Sequence, residues 1–568
     1  MFVFERTVGS RSRYRIAAES VWDPVNRRPF GRQVVLGSAE RPPKVDLSKT
    51  EVVGTRHVGD AGALVWAAEQ LEAVRLIDEA CGMSGGPKVP SIGEMAVAVA
   101  LQRTCAPSAK CDLPSVLERF LPRHCCLGPQ AFSGQAFYRL AAGVTDDMLE
   151  KAQLALARAA IEKFEISADV LCFDTTNFDT FIATPTRNEL ARRGHAKSKR
   201  RDLRVVGLAV LASETGHVPL LYRTYPGNGS DQTVLTDCLG ALKELHQALA
   251  DAEGRPRAQR TLVRDGGSWS EQLELELNVA GYYTLISLPL GHNASKVALE
   301  FAAQRGQMKS LRGSLSSVRA ARLVSAVGDL KRTLVVVESE ELLRGQKRGI
   351  AVALRKAKSE LRKVAKRLLK NGEKKSLSRE GVEARVARAL AREHLSDFVV
   401  VKIGGSDGRP TLAWNVDMAK RRELERTRLG RRVLCTDQHN WSTERVVSGF
   451  RGQWNVEEVF RRAKKGGIAP WGPSFQRVDP CLRLHTFATV LGLTLVSLAK
   501  LKLGFHGSAK AMMRELAGIR ATLVRQETGK PGRRPTYLIP PKMTTTQRRA
   551  VEAFQLDRWM PELLSSRA

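Results

Sequence analysis

The chain has 568 residues, 43% of them hydrophobic, so it is too long for one compact core and can bury several. Its 91 lysine and arginine residues outnumber its 59 aspartate and glutamate residues, which gives a net charge of +32 at pH 7. An excess of this size favours a polyanionic partner, above all nucleic acid. A membrane partner is disfavoured, because the sequence contains no run of about 18 uncharged apolar residues.

The nine cysteines are odd in number and show no paired Cys-x-x-Cys spacing, which argues against a disulfide framework or a zinc module. His124, Cys125 and Cys126, with Cys105 and Cys111 upstream, could form a metal cluster. Free buried cysteines in a reducing compartment are the better interpretation. The N-terminus lacks the continuous apolar core of a secretory signal, so we predict a cytoplasmic protein.

The N-terminal part of the chain changes character near residue 60. Residues 1–60 hold short alternating segments that predict a small β module. From residue 61 to 165, apolar residues recur at three- and four-residue spacing, which predicts helices, including a long one over 145–164. A helical region beside basic loops is a candidate DNA-binding unit.

Three strand-like segments follow. The run over 170–173 is short and apolar, and it predicts a buried strand that presents Asp174. A basic loop over 187–204 leads to two further strand-like runs, at 205–212 and 218–225, which complete a meander.

A helix over 232–249, which Ser230 or Asp231 can cap, leads to a fourth strand that ends at Asp265. Such a crossover allows this strand to run parallel to the first, so we expect Asp174 and Asp265 to meet at one sheet edge. A fifth strand is predicted over 283–288.

A long insertion occupies residues 291–429. Its helix over 344–370 has a heptad-like apolar seam, and a second helix over 378–393 predicts a helical hairpin, with strand-like runs at 334–337 and 398–403 on either side. The first helix carries eleven basic residues and one acidic residue. Two interpretations stay open: a solvated coiled-coil face, or an arm that faces phosphate.

A later segment places Glu457 midway between Phe450 and Lys464, at seven-residue steps. Two helical turns take about seven residues, so we predict that the three side chains share one helix face. The same face carries Gln453, Trp454 and Arg461. This mixture suits a metal ligand beside a phosphate chain. The alternative is a surface helix in which Glu457 pairs with Arg461. The neighbouring Glu458 is assigned a surface role, because it lies about 100° around the helix.

Carboxylates on the first strand, the fourth strand and a late helix are what a two-metal phosphoryl-transfer site needs. We therefore predict that Asp174, Asp265 and Glu457 are catalytic and hold two Mg²⁺ ions, or Mn²⁺ in their place. One ion activates a water or 3′-hydroxyl and the other stabilises the leaving oxygen, so no protein nucleophile is needed.

At these residues the sequence resembles the DDE transposases of bacterial insertion sequences, the class with a Y-x2-R-x3-E-x6-K signature. Asp174, Asp265 and Glu457 match the catalytic triad. The signature here has phenylalanine and glutamine, Phe450 and Gln453, in place of tyrosine and arginine, whereas Glu457 and the lysine are kept. The loops over 194–203 and 225–231 and the segment 483–485 resemble the family too, and the resemblance covers residues 1–500.

The resemblance implies an α/β fold with an RNase H-like catalytic domain, a mixed five-stranded sheet with helices over 166–290 and 430–500. The partly helical insertion subdomain at 291–429 interrupts it. The small β module at 1–60 and the helical DNA-binding region at 61–165 precede it. The C-terminal tail, 501–568, is a candidate for contacts with DNA ends or with a second copy.

The resemblance also implies the activity: a transposase that binds terminal inverted repeats and carries out metal-dependent strand cleavage and strand transfer. Its partner is double-stranded DNA, as transposon ends and target, bound by a homodimer or a higher synaptic complex at the bacterial nucleoid in the cytoplasm. Candidate phosphate contacts are Arg451, Gln453, Trp454, Arg461, Lys464, Lys199 and Arg201. Two alternatives stay open: a catalytically silent DNA-binding protein derived from a transposase, and an RNase H-like nuclease.

Overall fold

The protein is described here by a computed structural model that covers residues 2–8, 12–23, 28–38, 50–120, 127–183, 186–253, 260–370, 377–392, 394–406, 409–526, 536–539 and 541–559. The chain forms two compact units: unit 1 comprises Met1–Arg260 and Gly452–Ala568, and unit 2 comprises Thr261–Arg451. Each unit combines strands with many helices, so the protein is a mixed α/β protein. The domain boundaries above follow changes in sequence character rather than compactness, and they stay predictions.

Unit 1 begins with four strands and six helices. They are β1 (Phe2–Val8), β2 (Ser12–Asp23), β3 (Arg28–Ser38), β4 (Thr50–His57), α1 (Gly59–Gln70), α2 (Ala73–Cys81), α3 (Ile92–Cys105), α4 (Leu113–Glu118), α5 (Gly134–Ala142) and α6 (Asp146–Phe164). Strands β1 to β3 form an antiparallel meander. The long helix α6 begins where the sequence predicts, because the Thr145 Oγ1 accepts a hydrogen bond from the Met148 N–H at 3.3 Å and caps its first turn.

The middle of unit 1 is a three-stranded meander followed by two helices. These are β5 (Val170–Thr180), β6 (Arg204–Ser213), β7 (Pro219–Pro226), α7 (Asp231–Asp237) and α8 (Leu239–Glu253). Strand β6 pairs antiparallel with both of its neighbours. Ser230 caps α7 by accepting a hydrogen bond from the Thr233 N–H at 3.2 Å. The single helix predicted over 232–249 is two helices, because α7 ends one residue before Cys238.

Unit 2 is built around a sheet. Its elements are β8 (Arg260–Asp265), α9 (Glu271–Val279), β9 (Tyr282–Leu288), α10 (Asn293–Ala303), β10 (Lys309–Ser310), β11 (Val318–Val327), β12 (Leu330–Ser339), α11 (Glu340–Lys370), α12 (Arg379–Leu390), α13 (Leu395–Phe398), β13 (Val399–Ser406), β14 (Arg409–Val416), α14 (Met418–Thr427), β15 (Arg431–Thr436) and α15 (Thr443–Arg451). The sheet order is β10-β11-β12-β15-β9-β8.

This sheet corrects the prediction of five strands, since unit 2 alone contributes six. The run over 334–337, predicted as a flank of the insertion, lies in β12. It pairs antiparallel with β15, with Val336 opposite Val433. Its consecutive apolar residues are explained by burial, because Leu334, Val335 and Val336 are all fully buried in the sheet.

The insertion has a core of its own. Helix α11 packs against α12 and against β14 of the β13–β14 hairpin. The seam residues of α11 are buried in this core: Ile350, Leu354, Ala357, Leu361 and Val364. They meet apolar residues of α12, α13, β13 and α14. The heptad pattern therefore reports packing inside the insertion.

The C-terminal part of unit 1 comprises α16 (Trp454–Ala463), α17 (Asp479–Leu503), α18 (Ala509–Ala517), β16 (Arg520–Gln526), β17 (Thr536–Ile539) and α19 (Thr545–Ala553). Helix α17 packs against α1, α3, α5 and α6, and β16 pairs with β4. Among the described helices, α17 is long and apolar enough to cross a membrane, but 94% of its most apolar window is buried in the protein. Its apolar surface is thus used as the core of unit 1.

Candidate active site

The segment that carries Glu457 is not one continuous helix, because α15 and α16 are separated by residues 452 and 453. Phe450 is buried at the end of α15, with the Arg432 guanidinium 5.1 Å from its ring centre. Lys464 follows the last residue of α16. The prediction that Phe450, Glu457 and Lys464 share one helix face is therefore wrong, since seven-residue spacing aligns side chains only along an unbroken helix.

The two adjacent glutamates of α16 have different environments. The Glu458 carboxylate lies 3.0 Å from an Arg461 nitrogen and 3.3 Å from an Arg462 nitrogen, and its side chain is only 13% exposed. Glu457 lies exposed in the first turn, and within the described residues its carboxylate has no hydrogen bond or ion pair. The alternative in which Glu457 pairs with Arg461 is wrong, and so is the surface role predicted for Glu458. Glu457 remains available for an external ligand.

Buried polar contacts fix α16 in place. The Arg462 Nη1 donates to the Ser497 Oγ at 2.9 Å, and that hydroxyl donates to the His217 carbonyl at 2.9 Å. Burial lowers the pKa of the Arg462 guanidinium, while its pairing with Glu458 opposes the shift. Burial, with Arg462 and Lys500 nearby, lowers the pKa of His217 to about 4, so its ring is neutral at pH 7. The helix that presents Glu457 is thus held to α17 and to the β6–β7 turn.

An aromatic ring and a cation lie next to Glu457 on α16. Trp454 is 51% exposed, and the Arg461 guanidinium lies 5.5 Å from its ring centre. The His217 ring meets Trp454 edge to face, with the ring centres 5.2 Å apart. The other predicted phosphate contacts in this segment, Arg451 and Lys464, are exposed, whereas Gln453 is half-buried. Their contacts with DNA stay predictions.

Asp174 lies within β5 on the same strand face as Phe178, because side chains alternate along a strand. Phe178 stacks on Trp471 with ring centres 5.0 Å apart, and the backbone N–H of Trp471 donates to the Ala463 carbonyl at the end of α16. Helix α16 itself packs against β5 and β6. Asp174 is half-buried, and its Oδ1 accepts a hydrogen bond from the Thr175 N–H at 2.7 Å. Phe178, on the same face of β5 as Asp174, therefore packs on the segment that follows α16.

Asp265 belongs to unit 2, where β8 ends at this residue, as predicted. The strand is buried up to Arg264, and Asp265 is its first exposed residue. The Asp265 Oδ1 accepts a hydrogen bond from the Gly266 N–H at 2.8 Å, which orients the carboxylate at the strand end.

A buried charged network that the sequence did not reveal anchors the residue before Asp265. Arg264 pairs with Glu274, and both side chains are 1% exposed. Glu274 accepts a hydrogen bond from the Thr284 Oγ1 at 2.5 Å, and Asp437 accepts one from the Thr284 N–H at 2.7 Å. Arg332 lies 3.6 Å from Glu274 and 3.9 Å from Asp437. Burial lowers the pKa of Arg264 and raises the pKa of Asp437. The network holds β8, α9, β9 and β12 together.

The three predicted ligands are divided between the units: Asp174 and Glu457 in unit 1, and Asp265 in unit 2. Among the described residues, no three His, Cys, Asp or Glu side chains form a ready-made metal group. The carboxylate oxygens are donors of the type that Mg²⁺ prefers. Their assembly around two ions, like the parallel course of β8 and β5, stays a prediction. The alternative cluster at residues 124–126 lies outside the described residues.

The basic loop between β5 and β6 carries the predicted phosphate contacts Lys199 and Arg201, and both are exposed. A third cation, Lys197, was missed in the sequence. Its Nζ donates to the Thr175 carbonyl, next to Asp174 in the chain, and its backbone N–H donates to the Asn177 Oδ1 at 2.9 Å. The sequence shows the basic loop but not which of its cations turns back to the strand.

Two glycines let this loop pack against the turn after β7. A Cβ on Gly194 would lie 2.0 Å from the Gly227 carbonyl oxygen, and one on Gly227 would lie 2.0 Å from the Val205 carbonyl oxygen. Backbone meets backbone at both points, so no side chain fits.

A buried cluster of basic groups lies beneath Trp471. His485 is 3% exposed, and its Nε2 lies 2.8 Å from the Trp471 carbonyl oxygen. The carbonyl accepts, so Nε2 carries the proton and Nδ1 accepts from the Lys110 Nζ at 3.3 Å. Burial lowers the pKa of Lys110 to about 7, with Arg103 adding to the shift, and it lowers the pKa of His485 well below its ordinary value. His485 is therefore a core residue.

Comparison with known proteins shows likeness in structure but not in sequence. No protein family matches the sequence, and no curated protein matches it either. Among solved structures, the fold is similar to a piggyBac transposase synaptic complex with hairpin DNA, with a TM-score of 0.37 and 10% sequence identity over 81% of this chain and 78% of the other. At this level of similarity, the likeness says nothing about the function of this chain.

Proposed function

We propose that the protein is a DDE transposase of the bacterial insertion-sequence type, with an RNase H-like catalytic core, that cuts and joins double-stranded DNA at terminal inverted repeats. The observation that carries the proposal is the contrast between the two glutamates of α16. Glu458 is bound by two arginines, whereas Glu457 is exposed and has no partner among the described side chains. The exposed carboxylate of Glu457 can therefore accept an external ligand, whereas that of Glu458 is already bound.

The proposed metal ligands are Asp174, Asp265 and Glu457. Strand β5, which carries Asp174, packs against α16, which carries Glu457, and this supports their use together. When bound, two Mg²⁺ ions supply an activated water or 3′-hydroxyl and charge stabilisation for the leaving oxygen. The chain holds the carboxylates: the Glu458–Arg462 pair fixes α16, and the Arg264–Glu274 pair fixes the end of β8 before Asp265.

The proposed DNA contacts near the carboxylates are exposed cations and one exposed ring. Trp454 with Arg461 offers a cationic aromatic surface beside Glu457, and Lys199 and Arg201 lie on the loop after β5. Cations position phosphates, and an exposed indole can stack on a base. The net charge of +32 supports a partner with many phosphates.

The adjacent glutamates provide the test, because each is the control for the other. We expect Glu457→Gln to lower the rate of strand cleavage by at least about a hundredfold, since a metal ligand is lost, with no change in thermal stability. We expect Glu458→Gln to lower the melting temperature and to keep most of the cleavage activity per folded molecule. The assay uses the full chain, Mg²⁺ and a duplex that carries the DNA flanking its own coding region.

Equal cleavage by the wild type and by Glu457→Gln contradicts the assignment of Glu457. A second assay separates the proposal from its two alternatives. Pre-cut ends and a supercoiled plasmid are incubated with the protein, and joined products are expected of a transposase. Nicked plasmid without joined ends indicates a nuclease, and bound but unaltered DNA indicates a silent DNA-binding protein.

A further inference from the structure

The outer face of α11 in unit 2 carries a line of three arginines and one lysine. Arg348, Arg355 and Arg362 recur every seven residues, and Lys366 follows four residues later. At 100° per residue all four lie within about 40° of one line along the helix. All four side chains are exposed. We call these four residues the outer stripe.

The outer stripe lies opposite the buried seam of the same helix. Ile350, Leu354, Ala357, Leu361 and Val364 form that seam and are buried in the core of the insertion. The seam meets α12 of the predicted hairpin and further elements of the insertion, so it is covered within the insertion. The outer stripe is therefore the side of α11 that an external partner can bind.

Three other cations of α11 have partners within the insertion. Lys347 pairs with Glu425 at 2.9 Å, and Lys363 pairs with Glu360 at 2.7 Å. Lys358 lies 6.0 Å from the ring centre of Trp414. In contrast, the four outer-stripe side chains make no ion pair or hydrogen bond with any described residue. Four aligned cations with no acidic partner repel one another, so an external polyanion lowers their energy.

The length of the outer stripe suits duplex DNA. Arg348 and Lys366 are 18 residues apart, which is about 27 Å along a helix. This equals about eight base pairs, less than one turn of duplex, so a straight helix can follow the phosphates without bending. Arginine also binds phosphate with two donors at once. The sequence of α11 includes no aromatic residue on which unpaired bases could stack.

We propose that the outer stripe binds the phosphate backbone of double-stranded DNA, independently of base sequence. The inference rests on the proposed function, since it takes duplex DNA as the substrate. It adds a second surface in unit 2 that holds the DNA by charge alone.

The test compares two triple variants with the same loss of charge on the same helix. The stripe variant carries Arg348→Gln, Arg355→Gln and Arg362→Gln. The paired variant carries Lys347→Gln, Lys358→Gln and Lys363→Gln. Glutamine keeps the helix propensity of the residues it replaces. Affinity of the full chain for a labelled random-sequence duplex is measured by fluorescence anisotropy from about 50 to 200 mM salt.

We expect the stripe variant to reduce the slope of log K against log salt by about 2.7, since each lost phosphate contact removes about 0.9. The paired variant should change the slope by less than about 1, and the sequence of the duplex should not matter. Equal slopes for both variants overturn the proposal, because they indicate a general effect of charge. Equal competition by single-stranded DNA of the same length overturns the assignment to duplex.

Failure of this inference and failure of the proposed function are separate outcomes. Glu457→Gln should abolish cleavage and leave the salt slope unchanged. The stripe variant should reduce the salt slope, whatever its effect on cleavage. A reduced slope in the stripe variant, with no cleavage by any form of the protein, removes the transposase proposal and leaves the DNA surface standing.

Discussion

Two buried charged sites, one in each unit, hold their charge in opposite ways. Beneath Trp471 in unit 1, Arg103, Lys110 and His485 are each 3 to 7% exposed, and no carboxylate among the described residues pairs with them. In unit 2, Arg264 and Arg332 are buried together with two carboxylates, of Glu274 and Asp437.

The difference shows how each site offsets the free-energy cost of removing charge from water. A cation without a counter-ion loses its proton more easily, and accordingly burial lowers the pKa of Lys110 to about 7. Burial also lowers the pKa of Arg264, but the carboxylates of Glu274 and Asp437 oppose that effect. The stability of the site in unit 1 should therefore change with pH near neutrality. The stability of the site in unit 2 should fall when an ion-pair partner is removed.

The strongest way to break this comparison is to remove the central carboxylate of unit 2. Glu274→Gln leaves Arg264 buried without a counter-charge, so we expect a loss of about 3 to 5 kcal/mol in local stability. Hydrogen exchange of peptides from α9 and β9 measures it. The control is Glu276→Gln, which replaces a partner of Gln272 on the surface and should cost less than about 1 kcal/mol. A small effect of Glu274→Gln contradicts the ion-pair account.

Lys110 tests the account of the site beneath Trp471, where buried cations have no carboxylate partner among the described residues. Its pKa in the folded protein lies below its unfolded value, so the unfolded chain binds more protons between about pH 7 and 10.5. The free energy of unfolding of unit 1 should therefore rise with pH in this window, by about 1 kcal/mol from pH 7 to 8 and towards about 1.4 kcal/mol per unit above that. Lys110→Met should remove this rise.

Hydrogen exchange of α3 and α17 peptides at several pH values provides the measurement for Lys110. The matched control is Lys363→Met, which changes an exposed lysine of unit 2. If Lys110→Met keeps the wild-type pH dependence, charge in unit 1 is neutralised by some other group.

His485 sharpens the comparison on the acid side. Its pKa is lowered by burial and by Lys110, so the unfolded chain binds its proton first as the pH falls below about 6.5. Unit 1 should lose up to about 1.4 kcal/mol of stability per pH unit there. His485→Gln should remove this component, whereas His394→Gln, at an exposed histidine, should not. An unchanged acid sensitivity in His485→Gln contradicts the prediction.

Surface pairs should give the smallest effect. Glu340 and Arg344 lie 2.8 Å apart on α11, with side chains 79% and 74% exposed. Solvent screens such a pair, so Glu340→Gln should change stability by less than about 0.5 kcal/mol at any pH. Thermal melting in low and high salt measures it. A larger loss would indicate that exposed pairs, and not only buried ones, stabilise unit 2.

Periodicity and caps in the sequence predict much of the local structure. The start of α6 after Thr145, the cap at Ser230, the end of β8 at Asp265 and the buried seam of α11 all follow from spacing and side-chain chemistry. These features depend on residues close together in the chain. The sequence signal for each is therefore local.

Long-range features escaped the prediction. The network of Arg264, Glu274, Thr284, Arg332 and Asp437 joins residues up to 173 positions apart, and charged residues in a sequence are read as exposed. The break before α16 was missed because the seven-residue spacing continues across it. Gly452, which disfavours helix by about 1 kcal/mol, was the signal that could have shown it.

Because unit 2 interrupts unit 1 in the chain, the order of synthesis matters. Helix α17 packs against α3, but about 190 residues of unit 2 are made between the two parts of unit 1. At translation speeds of about 5 to 20 residues per second this takes about 10 to 40 s. During that time the apolar surface of α3 that α17 will cover stays exposed on the nascent chain. We therefore expect chaperones to bind the incomplete protein. A ribosome-bound chain that stops at residue 451 should expose that surface, and one that extends well past residue 503 should not.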